Sequence, residues 1–293
     1  MVEVPGIEPG STVWNRTRAK AEPLVQVGAK IAEHPSDLAG CDIIFSMLAT
    51  ADDVNAVILG ADGLLSKSKP GQSGLPKMVV ESTSISTEAS ADLRAALDKF
   101  GIQMLAAPVS GNAKVVKAGK LSFVVSGPKE AFDTASPMLA VIGQEATWVG
   151  EGDLARVVKI CHNVFLGVVI QSLAEITVLA EKAGVPRHAF LDFLNKSVMG
   201  SMFSSYKTPA LVNLDFKVTF TPYLLRKDLD LGLAAARNLE VPMPLASIAR
   251  DMVQSMMGNG YADEDFAALL LQQARASGIE LKAENVPVND GLS

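Results

Sequence analysis

The first half of the chain alternates short apolar runs with amphipathic stretches. Helical spacing of apolar residues recurs over residues 18–27, 52–59 and 87–100, and residues 66–77 form a loop with glycine and proline turns. Strands that alternate with helices usually form a parallel sheet covered on both faces, so this half predicts an α/β domain over residues 1–150. The predicted strands are residues 12–14, 42–48, 77–80, 102–106, 121–125 and 146–149.

After residue 152 the alternation stops and only helical patterns follow. A long helix is predicted over residues 153–182, and Gly184 and Pro186 supply its stop signal. The sequence therefore predicts an all-α domain over residues 151–293, joined to the first by this long helix. Its other predicted helices are residues 187–195, 228–238, 244–258 and 263–276.

Composition narrows the class of protein. Of 293 residues, 48% are apolar and 20% charged, enough to bury a sizeable core. The net charge of −6 and the lack of a Lys/Arg cluster disfavour nucleic-acid binding. Cys41 and Cys161 make no disulfide framework, and with no signal peptide we expect a cytoplasmic protein. Polar residues interrupt the most apolar stretch, 157–180, so we expect a buried helix and no membrane span.

The first candidate site is Asn15-Arg16-Thr17, where a strand is predicted to end. In dinucleotide-binding folds the end of the second strand meets the adenosine ribose. An acidic residue there selects NAD, whereas an arginine accommodates the 2′-phosphate of NADP. Asn15 is uncharged, and Arg16 can bind a phosphate with two nitrogens. Taken alone, however, a strand end followed by a threonine helix cap explains these residues better.

The second candidate is Ser110-Gly111-Asn112, followed by Gly119. Small residues let backbone amides approach a ligand, and the serine and asparagine side chains can donate to a carboxylate. Taken alone, an ordinary turn between strand and helix again explains the segment better.

The third candidate lies on the long helix, where Lys159 and Asn163 share one face. Burial lowers the pKa of a lysine and suits it to proton transfer, but a lysine can also pack its stem and keep its ammonium in solvent. The residues alone leave these two interpretations about even. Cys161 and His162 are expected to be packing residues, because no metal-ligand spacing links them to another His or Cys. Lys227 is expected near a helix start, in a solvated first turn.

Together, the order and spacing of these segments resemble the β-hydroxyacid dehydrogenase family, the group of 3-hydroxyisobutyrate dehydrogenase, tartronate semialdehyde reductase and glyoxylate/succinic semialdehyde reductase. The resemblance runs from about residue 13 to residue 270. It rests on residues 13–17, Met47-Leu48-Ala49, residues 107–111 with Gly119, Lys159 with Asn163, and residues 227–229. It implies a Rossmann-like domain, a helical domain that packs between subunits, and a homodimer or homotetramer.

The resemblance also implies roles for single residues. Lys159 matches the family's catalytic lysine, which moves a proton to or from the substrate oxygen, and Asn163 its substrate-positioning partner. Ser110, Gly111 and Asn112 match the segment that binds the carboxylate of a small substrate, although the family usually has a second glycine at Asn112. The implied activity is an NADP(H)-dependent oxidoreductase that interconverts a small β-hydroxyacid and its semialdehyde or keto form, with NAD also possible.

Cofactor contacts are implied at eight positions. The family commonly has proline at Ala49, and the segment around Arg16 resembles the NADP-preferring members. The implied cofactor-binding residues are Asn15, Arg16, Thr17, Leu48, Ala49, Val54, Ser84 and Lys227.

One departure concerns the beginning of the chain. The family starts with a strand, a G-x-G-x-x-G turn and a helix before the strand that here ends at Asn15, and a βαβ unit through its second strand needs roughly 30 residues. Only residues 1–11 precede that strand here. We therefore expect a Rossmann-like domain that is N-terminally incomplete. Two rival interpretations stay open: a truncated, catalytically impaired oligomerisation or binding protein, and an imine-reductase-like relative.

Overall fold

The computed structural model describes residues 10–292, which divide into two units. The first unit extends to Gly111 and also contains Gly119–Lys159, and the second contains Asn112–Ala118 and the chain from Ile160 onward. This differs in two places from the predicted division at residue 150. The long helix passes from one unit to the other after Lys159, and the short segment after Gly111 belongs with the helices.

The strands of the first unit form three small sheets. β1 (Thr12–Val13) pairs in parallel with β2 (Lys30–Ile31). A parallel sheet has the order β3 (Ile43–Ser46), β4 (Met78–Glu81), β5 (Gln103–Ala106), with Met78 opposite both Ile43 and Gln103. In the third sheet, β7 (Ser122–Val125) pairs antiparallel with β6 (Val109–Ser110) and parallel with β8 (Glu145–Trp148). Every residue of β4 is buried, as expected for a central strand.

Helices cover these sheets. Side-chain caps begin two of them: Thr50 accepts from the Asp53 amide and Ser86 from the Ala89 amide. Buried apolar residues of both helices pack with Val79 and Met104 in one core cluster. The helices of the first unit are α1 (Glu22–Val25), α2 (Ala51–Leu59), α3 (Thr87–Asp98) and α5 (Lys129–Ile142); α4 (Ala113–Lys117) lies in the second unit.

Two local predictions for the first unit are wrong. The helix expected over residues 18–27 is a single 3₁₀ turn, Arg18–Lys20, followed by the short α1, because Pro23 has no amide hydrogen with which to continue a helix from that turn. Residues 107–112, expected to be a turn, contain β6, whose antiparallel pairing also means that the strands are not all parallel. The short strand β2 and the helices α4 and α5 were not among the predicted elements.

The prediction of an incomplete first domain falls partly outside the described residues. Residues 1–9, on which it depends, are not described by the structure. Within residues 10–292, β1–β2 and β3–β4–β5 are separate sheets, since no ladder joins β1 to β3. In a Rossmann fold, the first strand of the chain lies between the second and fourth strands. The positions of those second and fourth strands are the ones that β1 and β3 occupy here.

The second unit is helical, and no strand follows Ile160 in the part of the chain that the structure describes. α6 (Leu154–Lys182) runs through its core with Val164, Ile170 and Leu173 buried. The remaining helices are α7 (Arg187–Lys196), α8 (Met202–Asn213), α9 (Pro222–Asn238), α10 (Pro244–Met256) and α11 (Leu269–Ala276).

Two of these helices differ from expectation. α8 was not predicted, because Pro209 inside it reads as a helix breaker. α9 begins at Pro222 with a cap from Thr221, so Lys227 lies in its second turn, and the prediction that Lys227 opens a helix is wrong.

By length and composition alone, α6 could cross a membrane. Half of its most apolar stretch is buried inside the protein, as in the core helices of soluble proteins, which pass the same test. The expectation of no membrane partner stays a prediction.

The segment that follows α11 is held by a buried arginine. Arg187 donates to the carbonyl oxygens of Leu211 and Val212, at 3.0 and 2.9 Å, and to that of Lys282. Glu284 accepts from the backbone amides of Arg187 and His188 at the start of α7. The chain end thereby satisfies orphan amides of a helix N-terminus.

A glycine contact between α6 and α9 yields the first stability prediction. A Cβ at Gly232 would lie 2.2 Å from Val164 Cγ2, so an alanine there must displace a buried neighbour. We expect Gly232→Ala to lower the free energy of unfolding by about 1–3 kcal/mol, measured by thermal denaturation. Gly258→Ala, which would meet nothing within 4 Å, is the control and should leave the melting temperature nearly unchanged. Equal melting temperatures for the two variants would contradict this packing.

Candidate functional site

The loops after β1, β3 and β4 meet at one edge of the first unit. The Leu48 amide donates to Thr83 Oγ1 at 2.9 Å, which joins the loop after β3 to the loop after β4. Arg16 Nη1 lies 3.1 Å from Asp53 Oδ1, which joins the loop after β1 to the start of α2. The structure therefore brings together the candidate residues around positions 15–17, 48–49 and 83–84. Carboxyl ends of parallel strands are where open α/β sheets bind ligands.

Arg16 presents its guanidinium to solvent at this edge. Its side chain is 81% exposed, and Asn15 Oδ1 accepts from the Thr17 amide at 2.9 Å, which shapes the turn. The Thr50 hydroxyl, with Arg16, lowers the pKa of Asp53, so this carboxylate is charged at neutral pH. A guanidinium has five N–H donors, and the ion pair with Asp53 leaves others for a phosphate.

This edge has polar groups that are available to a bound dinucleotide. Ser46, the last residue of β3, has a buried hydroxyl without a hydrogen-bond partner, as expected where a polar ligand binds. Leu48 and Ser84 are half-buried and Ala49 is exposed. The printed sequence contains no G-x-G-x-x-G motif for the pyrophosphate. The exposed guanidinium of Arg16 therefore fits a phosphorylated adenosine end, and the roles of Leu48, Ala49 and Ser84 stay predictions.

Val54 is a correction to the expected cofactor contacts. It is 1% exposed and packs in the core cluster with Ile58 and Leu93. α2 turns this side chain into the core of the first unit, away from the surface that a ligand could reach.

Sequence reasoning missed a buried ion pair at the start of α6. Arg156 Nη2 lies 2.5 Å from Glu81 Oε2, and the two side chains are 1% and 0% exposed. Arg156 also donates to the Thr83 carbonyl at 2.5 Å and to Ser90 Oγ at 3.1 Å. Burial lowers the pKa of Arg156, and the neighbouring Glu81 opposes that effect. A glutamate that ends the apolar run of β4 and an arginine in an apolar helix are signals of this pair that the sequence does carry.

Further bonds tie the same helix start to other segments of the first unit. Ser126 Oγ accepts from the Ala155 amide at 3.0 Å and donates to the Gly152 carbonyl at 2.9 Å. Arg94 pairs with Asp153 at 2.6 Å. The first turn of α6 is therefore held by contacts with the end of β4, with α3 and with Ser126 after β7.

Lys159 follows this anchored turn and is half-buried. Ser110 ends β6, and Gly111 after it has φ +138°, in the region that favours glycine. The amide oxygen of Asn112 accepts from the amides of Lys114 and Val115 and caps α4. The amide nitrogen of Asn112 is the group of this side chain that can donate to a substrate carboxylate.

In the second unit, a chain of polar contacts orients Asn163. Its Nδ2 donates to Asp228 Oδ2 at 2.5 Å, and its Oδ1 lies 2.9 Å from His162 Nδ1. Because a carboxylate only accepts, Asp228 fixes the amide nitrogen on its own side, and His162 Nδ1 must then carry a hydrogen for Oδ1. Lys227 Nζ lies 3.2 Å from Asp228 Oδ1. Asn163, His162, Lys227 and Asp228 form one polar group.

The prediction that Cys161 and His162 are packing residues is wrong, because both are exposed.

Lys227 lines an open cavity of about 320 Å³ together with Tyr223, Arg226, Asp230 and Leu231. The lining of this cavity carries two cationic side chains, Arg226 and Lys227, and the carboxylate of Asp230.

Family models cover most of the chain. The NAD binding domain of 6-phosphogluconate dehydrogenase matches residues 10–150, and the NAD-binding domain of NADP-dependent 3-hydroxyisobutyrate dehydrogenase matches residues 153–272. The oxidoreductase YfjR of Bacillus subtilis is 34% identical over 263 residues, which are 88% of this chain and 90% of the relative. The chain belongs to the β-hydroxyacid dehydrogenase family.

Other members support the same assignment. The chloroplastic glyoxylate/succinic semialdehyde reductase 2 of Arabidopsis thaliana is 28% identical over 260 residues, 88% of this chain and 71% of the relative. The crystal structure of a 3-hydroxyisobutyrate dehydrogenase from Salmonella typhimurium is 28% identical with a TM-score of 0.79, and the match covers 88% of this chain and 90% of that one. The predicted fold class, a Rossmann-like domain followed by a helical domain, is confirmed.

Family membership also confirms the class of activity. The protein is an NAD(P)-dependent oxidoreductase, and both halves match domains that are described by their nicotinamide cofactor. The roles of the individual site residues stay predictions.

Proposed function

We propose that this protein interconverts a small β-hydroxyacid and its semialdehyde or keto form with NADP(H). The observation that carries the proposal is α6, which presents Lys159 and Asn163 one turn apart, immediately after a turn anchored at the carboxyl end of β4.

Each of the proposed site residues has its own role in the reaction. In reduction, Lys159 Nζ donates its proton to the carbonyl oxygen, and in oxidation it takes the proton from the hydroxyl. A bound reduced nicotinamide supplies the hydride that the carbonyl carbon accepts. Ser110, Gly111 and Asn112 hold the substrate carboxylate, which fixes the reacting carbon by proximity. Asn163 has two amide hydrogens, and with one bound to Asp228 the other donates to the substrate.

The preference for NADP(H) is assigned to Arg16. We expect Arg16→Ala to weaken NADPH binding about 10–100-fold, the loss of charge-assisted hydrogen bonds to a phosphate, and to leave NADH binding unchanged. The measurement is a fluorescence titration with each cofactor.

Arg18→Ala is the matched control for this prediction. Arg18 is an exposed arginine two residues further on and pairs with Glu33 instead. It should bind NADPH like the parent protein. A parallel loss of NADPH affinity in both variants, or none in Arg16→Ala, would contradict the assignment.

The substrate class is tested by turnover. Glyoxylate and succinic semialdehyde are offered with NADPH, and 3-hydroxyisobutyrate with NADP⁺. Saturable, enzyme-dependent change in NADPH absorbance with at least one of them is the expected result. Tight NADPH binding without turnover of any small hydroxyacid or semialdehyde would argue against the proposal.

A homo-oligomer is part of this proposal. Large apolar side chains on helices of the second unit are exposed, among them Phe165, Leu179 and Phe193. Large exposed apolar side chains that form a contiguous patch mark an interaction surface. A dimer or tetramer is therefore expected in analytical ultracentrifugation, and a monomer at micromolar concentration would contradict it.

A further inference from the structure

Stability alone does not explain the buried ion pair between Arg156 and Glu81. Both side chains are buried, and Arg156 uses Nε, Nη1 and Nη2 for hydrogen bonds. Desolvation of two charges is costly, and well-packed apolar residues are often as stable as a buried ion pair. A planar guanidinium with several fixed donors instead defines one geometry.

The partners of Arg156 all belong to the end of β4 and the residues that follow it. Glu81 is the last residue of β4, Thr83 lies in the loop after it, and Ser90 lies in α3. The other oxygen of Glu81, Oε1, accepts from the Thr83 amide at 2.8 Å and so shapes the loop that leads to Ser84. One pair of side chains thus holds two segments at once.

These two segments carry different parts of the proposed chemistry. Lys159 lies three residues after Arg156, one turn along α6. Ser84 directly follows Thr83, whose carbonyl Arg156 binds. A displacement of about 1 Å between reacting groups can lower a rate by a hundredfold.

We propose that Arg156, together with Glu81, is a positioning residue that fixes the Lys159 turn of α6 relative to the nicotinamide-side loop at Thr83 and Ser84. This inference rests on the proposed function and adds to it the residues that set the geometry of proton transfer. It predicts that loss of the guanidinium fork impairs the chemical step and spares the binding of cofactor and substrate.

The test compares conservative substitutions at two buried arginines. Arg156→Lys keeps a cation beside Glu81 but removes the planar guanidinium and its fixed set of donors. Arg187→Lys makes the same change at a residue that is 0% exposed and bonds the Leu211, Val212 and Lys282 carbonyls. We expect Arg156→Lys to lower kcat about 10–100-fold while KM and the Kd of NADPH change less than about threefold. Arg187→Lys should lower the melting temperature and leave kcat within about twofold of the parent.

A second variant covers the case that Arg156→Lys does not fold. Ser90→Ala removes only the acceptor of Arg156 Nε, at 3.1 Å, and is expected to show the same split between kcat and KM with a smaller loss. The inference would be overturned by equal kcat losses in Arg156→Lys and Arg187→Lys. If Arg156→Lys does not fold, it would be overturned by an unchanged kcat in Ser90→Ala.

A readout without turnover separates this inference from the proposed function. Reductive ¹³C-methylation makes the Lys159 amine visible by NMR. Its resonance should move in Arg156→Lys or Ser90→Ala and stay in place in Arg187→Lys, and an unmoved resonance contradicts the positioning role. Absence of turnover in the parent protein overturns the proposed function alone, because the Lys159 resonance still reports on Arg156.

Discussion

Replacing Lys159 by methionine is expected to lower kcat about 10²–10⁴-fold, the usual contribution of a general acid or base. Methionine keeps an unbranched side chain of similar length and removes the ammonium, so folding should be preserved. The Kd of NADPH should stay within about threefold of the parent value, because the proposed role of Lys159 lies in proton transfer. Steady-state kinetics and a fluorescence titration on one preparation measure both quantities.

Lys182→Met is the control on the same helix. Lys182 ends α6 and donates to the Ser277 carbonyl at 2.9 Å, away from the candidate residues along the chain. It should turn over like the parent protein. Near-parental kcat in Lys159→Met, with NADPH bound, would remove Lys159 from the mechanism.

The largest stability effect is expected at Lys207. Its ammonium lies 2.5 Å from Asp265 Oδ1, and both residues are buried, at 2% and 1% exposure. Burial lowers the pKa of Lys207, and the Asp265 carboxylate opposes this. Asp265 also accepts from the Thr219 and Ala267 amides at 2.9 and 3.0 Å, so it joins the segment before α9 to the turn before α11.

Lys207→Met leaves a buried carboxylate without its cation. We expect the free energy of unfolding to fall by about 3–5 kcal/mol, the usual result of removing one partner of a buried pair. Urea denaturation followed by circular dichroism measures it.

Lys196→Met is the control for Lys207. It breaks an exposed pair with Asp192, four residues earlier on α7, and should barely move the denaturation midpoint. A midpoint for Lys207→Met as high as that of Lys196→Met would show that the Lys207–Asp265 pair does not hold the second unit together.

Local patterns predicted the elements whose signals lie within a few residues. The apolar run of β4 and the long apolar repeat of α6 are examples, and α6 begins within one residue of its predicted start. α9 was placed too late, although Thr221 and Pro222 form a recognisable cap and first position of a helix. α8 escaped because Pro209 interrupts its pattern, while its capping box at Ser201 and Ser204 only becomes evident once the fold orients it.

The candidate site was predictable to the extent that it resembles a family. Lys159, Asn163 and Ser110 became candidates because their order and spacing match that pattern. Glu81 and Arg156 are 75 residues apart in sequence, and only the tertiary fold joins them. Val54 was misplaced because the resemblance assigned it a cofactor contact, although its spacing of one turn from Ile58 on α2 is typical of a core residue.

An isotope-transfer experiment tests the central claim most directly. The protein is incubated with NADPH deuterated at the transferable nicotinamide position and with succinic semialdehyde or glyoxylate, and the product is analysed by mass spectrometry and NMR. The account predicts a hydroxyacid with one deuterium on the carbon that bears the hydroxyl, formed by the parent protein and strongly reduced with Lys159→Met. Failure to form any deuterated hydroxyacid, while NADPH is bound, would contradict it.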